Sequence, residues 1–330
     1  MFTKKRILVV SKIALSVGLI FWLLQGADLA TIWETVKSAR VAALAVAFFM
    51  FYIGFCLIAL RWQLLLKVEK IEARFLYLLK SINIAVLFNS LLPSTIGGDA
   101  YRMYDVWRLG GTKTKAIAVI LIDRFLGMFA LVTYGIIAAL LVPEVRQAIP
   151  GLVLYLVAIL AAMLACIWMV FGSGKGLLDW FMALEFRILS IPQRIIGKII
   201  DALLLYQGRK DVLIRALLIS FLVQLNVIVH FIVVAYALRI DIPPMAMAII
   251  IPLATLIMLL PVSINGVGVR EAVLVFFFSL YGISSESAIA FAWVWLGMLL
   301  AQGIVGGIVF MLKRNKPDLS EMDDLPEQMT

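Results

Sequence analysis

Six stretches of this 330-residue chain run with few or no charges for longer than the ~18 residues that mark a bilayer-crossing helix. They are Ile7–Gln25, Val41–Leu60, Ala116–Val142, Gly151–Phe171, Val212–Leu238 and Ser287–Leu312. No other feature limits the fold as strongly. In hydrocarbon every backbone N–H and C=O must be satisfied within the protein, and long apolar segments achieve that as helices. Composition agrees: 64% of residues are hydrophobic and 15% charged, where a soluble domain has roughly 25% charged residues. The chain reads as an all-α polytopic membrane protein.

Between these spans lie two shorter apolar segments, each broken in the same way. LLPSTIGGDAYR (Leu91–Arg102) and LLPVSINGVGVR (Leu259–Arg270) lie 168 positions apart. Leu91, Leu92, Pro93, Ile96, Gly98 and Arg102 fall on identical residues when one is shifted onto the other. Proline removes a backbone donor and glycine a side chain, so helices break at Pro93, Gly97 and Gly98, and again at Pro261, Gly266 and Gly268. The expected arms are Phe75–Leu92 with Ala100–Leu109, and Met245–Leu260 with Gly268–Tyr281. The return arm Ala100–Leu109 is only ~15 Å long at helical rise, too short to cross. Each segment is therefore expected to be a re-entrant helical hairpin.

Charge orients the chain. With the N-terminus inside, nineteen Lys and Arg fall in inner segments, Arg61 among them, against Lys37, Arg40, Arg146 and Arg239 outside. Positive residues favour the cytoplasmic side, so both termini are expected in the cytoplasm of a multi-pass protein of the cytoplasmic (inner) membrane. The two halves then start from opposite sides, each reading span, span, hairpin, span. Six full transmembrane helices plus two hairpins form an inverted-topology repeat, which brings broken elements together near the midplane. Residues 1–312 form a single transmembrane domain: repeat one over 7–142, repeat two over 151–312, with a cytoplasmic amphipathic segment at 176–208. Residues 313–330 make a polar cytoplasmic tail, and Ala30–Ala39 an interfacial segment.

Candidate chemistry is sparse. Two cysteines, both in apolar runs, and one histidine exclude a disulfide framework and a multi-histidine metal centre. No cofactor is expected and no nucleophile–base pair stands out, so no enzyme activity is expected. The net charge of +9 reflects cytoplasmic loops rather than a nucleic-acid surface. FGSGKG (Phe171–Gly176) lacks the hydroxyl residue of a phosphate loop. Arg102, Arg124 and Arg270 are the candidate anion ligands, because a guanidinium fork pairs with two phosphate oxygens. Arg102 and Arg270, at matching positions one turn into short helices, are expected to act jointly. Asp99, Asp123, Glu271 and His230 are candidates for ion pairing or proton coupling, since charges at membrane depth face the bundle interior or a pathway.

The blocks LLPSTIGGDAYR to DRFLG (Leu91–Gly127) and LLPVSINGVGVREA through LYGIS to a following Ala (Leu259–Ala288) resemble the lysylphosphatidylglycerol synthase transmembrane family. The resemblance covers roughly residues 7–312. That family is the flippase-like membrane domain of the bacterial protein that makes and translocates aminoacylated phosphatidylglycerol, and it includes stand-alone members. The aminoacyl-transferase domain of the bifunctional members has no counterpart in this sequence. The resemblance thus implies lipid translocation without lipid synthesis. The implied partner is a membrane phospholipid or polyprenyl-phosphate lipid, with a separately encoded lipid-modifying enzyme as a possible companion. The competing readings are a membrane enzyme or accessory subunit acting on lipid-linked sugars, and a small-solute transporter.

Overall fold

The computed structural model describes residues 18–25, 27–91, 96–141, 143–171, 204–259 and 266–313. Pro93 and Pro261, the start of the first expected span, most of the 176–208 segment and the tail after Lys313 lie outside the described residues. Among the described residues every regular element is a helix. In chain order these are α1 (18–25), α2 (Leu29–Lys37), α3 (Val41–Val68), α4 (Phe75–Leu91), α5 (Ile96–Arg108), α6 (Lys113–Leu141), α7 (Pro143–Ala148) and α8 (Leu152–Phe171). Then follow α9 (Lys210–Ala237), α10 (Pro244–Met258), α11 (Val269–Ser279) and α12 (Ser285–Met311).

Four helices, α3, α6, α9 and α12, are long and apolar enough to cross a membrane. At 1.5 Å per residue their 27–29 residues reach ~40 Å, more than the ~30 Å hydrocarbon core. They differ in what surrounds them. In α6, 61% of the most apolar stretch is buried, against 17–28% in the other three. So α6 runs through the protein, while the others each show a face to lipid. The shorter apolar helices α4, α8 and α10 complete the bundle.

Helix α3 lies along α9 in antiparallel fashion. The Arg40 N–H donates to the Ala237 carbonyl at one end (2.8 Å), and the Tyr206 hydroxyl to the Leu65 carbonyl at the other (3.2 Å). Between them Asn226 Nδ2 donates to the Met50 carbonyl at 3.2 Å. Helix α4 packs on α12, and α10 on α6. Glycines permit these crossings. A Cβ on Gly306 of α12 would strike the Asn83 carbonyl oxygen of α4, and one on Gly303 would meet Ser90 Oγ at 3.1 Å. Gly135 of α6, 168 positions before Gly303, faces Leu253 and Leu256 of α10.

The helix ends also correspond between the halves. Helices α3 and α9 each stop at a basic residue in the left-handed region, Lys70 (φ 59°) and Arg239 (φ 58°). The Ile71 N–H returns to the Leu66 carbonyl and the Ile240 N–H to the Ala235 carbonyl, the bond that closes a helix C-terminus. Helices α5 and α11 end at left-handed glycines, Gly110 and Gly282, with the same closing bond.

The two expected hairpins are therefore α4–α5 and α10–α11. Gly266 (φ 74°) and Gly268 (φ 82°) occupy the turn before α11, as the break requires. Gly97 and Gly98 differ from expectation: they stand inside α5, in its first turn. The first-turn N–H groups of a helix have no intrahelical partner, so glycine there does not end it. Asn89 Oδ1 of α4 accepts from the Gly98 N–H at 2.8 Å. A Cβ on Gly98 would lie 2.5 Å from the Ala85 carbonyl oxygen, so glycine is required for the close contact of α5 with α4.

Candidate functional site

The return arm α5 carries Asp99 in its first turn, then Arg102 and Asp105 at successive helical steps. Spacing alone pairs Asp99 with Arg102, yet that contact is long, 3.8 Å. The stronger partners come from α6. Arg124 grips Asp99 with both arms of its fork, Nε to Oδ2 and Nη2 to Oδ1, each at 2.8 Å. Asp123, the next residue, receives Arg102 Nη2 on Oδ2 at 3.0 Å. Its other oxygen receives Arg61 Nε of α3 at 2.7 Å. Arg61 Nη1 goes on to Ser220 Oγ of α9 at 2.7 Å. Five charged side chains from three helices thus form one network, with α9 attached through a hydroxyl.

The environment divides the network in two. The side chains of Arg61, Arg102 and Asp123 are 7%, 7% and 2% exposed, whereas Arg124 is 49% exposed. The buried trio holds together because Asp123 sits between two cations. Removing charges from water costs several kcal/mol per ion unless each is paired and hydrogen-bonded. The Arg102 guanidinium also lies 4.3 Å from the centre of the Trp62 ring, which offers a face to the cation. Arg102 Nε is buried and has no partner.

A cavity of about 290 Å³ opens onto this network. Its walls include Asn89, Gly98 and Asp99 near the tip of the first hairpin, and Thr255 and Leu259 near the tip of the second. Arg61, Arg102, Asp123, Arg124, Ser220 and Gln224 add the polar surface, while Phe55, Ile58 and Leu131 are among the apolar walls. Both hairpins approach one space, but the first supplies the charge. Three guanidinium groups against two carboxylates leave the cavity one positive charge in excess. Its volume is at the low end for ligand pockets, enough for a head group rather than a whole lipid.

The other sequence candidates lie elsewhere. Arg270 is wholly buried (0% exposed), with Nη2 3.2 Å from Glu271 Oε1 and its guanidinium 5.7 Å from the centre of the Trp295 ring. Glu271 turns its second oxygen to the Gly268 N–H at 2.6 Å, closing the start of α11. Arg270 does not line the cavity, so the expected joint action of Arg102 and Arg270 has no common space here. Arg270 makes one hydrogen bond, to its neighbour, and lies beside an aromatic ring, while its Nε and Nη1 are buried without a partner. The cations beside Arg102 are Arg61 and Arg124 instead. His230 is a packing residue of the α3–α9 seam. Its Nδ1 lies 2.9 Å from the Ala47 carbonyl oxygen, and its ring packs between Phe51 and Phe231.

In sequence Arg61 reads only as a basic flank that ends an apolar run, the position of an inner-loop residue. Helix α3 continues through it to Val68 and buries it. Asn89, Ser220, Gln224 and Thr255 are equally inconspicuous in sequence. A single polar residue per helix turn in an apolar run is the signal they share, and it is a weak one.

The chain is similar to a UPF0104 membrane protein of Methanothermobacter thermautotrophicus, 22% identical over 273 residues, which covers 78% of this chain and 81% of that protein. It is also similar to a UPF0104 membrane protein of Pyrococcus horikoshii, 24% identical over 175 residues, about half of each chain. Residues 9–306 match the family described as lysylphosphatidylglycerol synthase TM region, and the chain belongs to that family.

Proposed function

We propose that the protein translocates an anionic lipid, a phospholipid or polyprenyl-phosphate, across the membrane without chemical change. In this reading the head-group phosphate occupies the cavity at Arg102 and Arg124 while the tails remain in the bilayer. The observation that carries it is Arg124, half-exposed eleven residues into α6 (~16 Å at helical rise). A charge at such depth marks a pathway, since hydrocarbon cannot be its neighbour without a cost of ~2.5–3.5 kcal/mol on insertion scales. One phosphodiester would neutralise the single positive excess. The unpartnered Arg102 Nε would supply a donor, and Ser220, Gln224 and Thr255 would serve head-group hydroxyls.

The architecture supports the same reading. An inverted repeat of six spans and two hairpins accounts for the paired helix ends at Lys70 and Arg239, and for the matched crossings at Gly303 and Gly135. It also accounts for hairpins that reach one cavity from opposite faces. Lys67, Lys70, Arg74, Lys113, Lys115 and Lys313 gather on the face where α3 ends. Arg40, Arg146 and Arg239 lie on the other. That sorting supports a cytoplasmic first face, since positive residues favour that side.

The experiment is reconstitution into proteoliposomes with labelled lipids. Exchange between leaflets of a labelled phosphatidylglycerol, at a rate well above protein-free vesicles, is the expected result. Equal rates with and without protein for every anionic lipid, polyprenyl-phosphate included, would overturn the reading.

A further inference from the structure

A second cavity, of about 430 Å³, lies between α4 and the end of α12, away from the charge network. It is lined by Tyr77, Lys80, Ser81, Ile84, Val309, Leu312 and Lys313. We infer that this cavity is a separate binding site for one anionic phospholipid, with the phosphate held between Lys80, Lys313 and the Ser81 hydroxyl. The site serves as a fixed station for a lipid, and it does not depend on the translocation reading.

Depth is the first reason. Lys80 stands five residues into α4 and Lys313 two residues past α12, so both cations sit at one end of their helices, where head groups lie. Basic pockets between transmembrane helices at this level are suited to anionic head groups. Unused polar capacity is the second. Ser81 is 1% exposed, lines the cavity, and its Oγ has no hydrogen-bond partner. A buried hydroxyl left unsatisfied costs free energy that a phosphate oxygen would recover. Lys313 gives one N–H to Asp105 Oδ1 and one to the Tyr101 hydroxyl, both at 2.8 Å. An ammonium has three donors, so one remains for a ligand.

The neighbouring charges set the sign. Tyr77 donates to Asp105 Oδ1 at 2.8 Å and is neutral. Lys80, Lys313 and the nearby Arg108 outweigh Asp105, so the surroundings are net positive and favour an anion. The surroundings suit acyl chains: Leu76, Ile308, Met311 and Leu312 are 67%, 48%, 67% and 77% exposed. A free phosphate shares the head-group chemistry but has no use for that surface.

The test is native mass spectrometry of the purified full-length protein in detergent, with dioleoyl phosphatidylglycerol, dioleoyl phosphatidylcholine or inorganic phosphate added. It is run on wild type, Lys80→Glu and Ser81→Ala, each also in an Arg124→Gln background to silence the central cavity. Lys80 is exposed, so its charge reversal leaves the fold intact, which melting in the same detergent verifies. Wild type and Arg124→Gln are expected to retain phosphatidylglycerol over phosphatidylcholine. Lys80→Glu should lower that retention about tenfold or more, as reversal of a surface charge near anionic lipid predicts, and Ser81→Ala should lower it less. Retention unchanged by Lys80→Glu in the Arg124→Gln background would overturn the site. Displacement of the lipid by inorganic phosphate alone would assign the site to a free phosphate and overturn the lipid.

Discussion

The two hairpins share a break and differ in nearly everything placed around it. Positions 168 apart carry Asn89 and Ile257, Asp99 and Val267, Arg102 and Arg270, Asp105 and Val273. Their neighbours diverge in the same sense: Asp123 and Arg124 against Phe291 and Ala292, Gly127 against Trp295. The first hairpin therefore meets carboxylates and a cavity. The second meets rings, and its single cation gives one of its nitrogens to the adjacent glutamate and leaves two buried without a partner. The helix ends at Lys70 and Arg239 and the crossings at Gly135 and Gly303 correspond between the halves, whereas the chemistry lies in one. A repeated motif thus identifies a fold and does not locate a site; the site follows from what faces the motif across the bundle.

The most damaging way to probe this difference is at Asp123. It is 2% exposed and neutralises two buried cations. Asp123→Ala should destabilise the protein by ~3–5 kcal/mol, because Arg61 and Arg102 are left buried and uncompensated. At the matching position Phe291→Leu should cost only ~1 kcal/mol, the usual size for a hydrophobic swap of similar volume. Thermal unfolding of both in one detergent gives the comparison. Equal losses would mean that the first half is held by packing as the second is, and not by its charges.

A smaller effect separates the two helix crossings. In Gly306→Ala the new methyl meets backbone of α4, which cannot turn aside, so overpacking should cost ~1–3 kcal/mol. In Gly135→Ala the methyl meets leucine side chains at 3.5–3.8 Å, an ordinary contact. That variant should be neutral or more stable by up to ~1 kcal/mol, since alanine is the better helix former. Melting curves that move in opposite directions are the expected result.

The smallest effect lies outside the membrane spans, at the start of α2. Hydrogen bonds from the Thr31 hydroxyl and then the Ala30 N–H hold the Asp28 carboxyl below the usual carboxylate range. A depressed carboxyl stabilises above its unfolded pKa and loses that contribution as pH falls through its folded value. Amide exchange in α2 should therefore quicken on acidification, beyond the intrinsic pH dependence, and the effect should vanish in Asp28→Ala.

Much of this was readable beforehand, and the limits have physical causes. Long apolar runs forced helices at 41–60, 116–142, 212–238 and 287–312, because hydrocarbon leaves the backbone no alternative. Both hairpin arms were legible from the Pro-Gly breaks, although α5 begins at Ile96 rather than Ala100. The partners of Asp99 were not legible. Sequence spacing offered Arg102, three residues away, and the fold supplied Arg124 from another helix. Arg61 was hidden for a related reason. A cation at the end of an apolar run looks like a flank until a carboxylate 62 residues away claims it.

The central claim is that the charged cavity of the first half, and not the closed pair of the second, holds the lipid head group. The most direct measurement is leaflet exchange of labelled anionic lipid by Arg124→Gln and Arg270→Gln proteoliposomes, with melting recorded on the same samples. Arg124→Gln keeps an amide donor for Asp99 but loses the charge, so it should melt somewhat below wild type and, per folded molecule, lose roughly tenfold or more of the exchange rate, the loss of a charge-assisted contact worth ~1.5–3 kcal/mol. Arg270→Gln should lower the melting temperature first, with exchange per folded molecule near wild type. Wild-type exchange by a well-folded Arg124→Gln protein, or full loss of exchange in Arg270→Gln with an unchanged melt, would contradict the account.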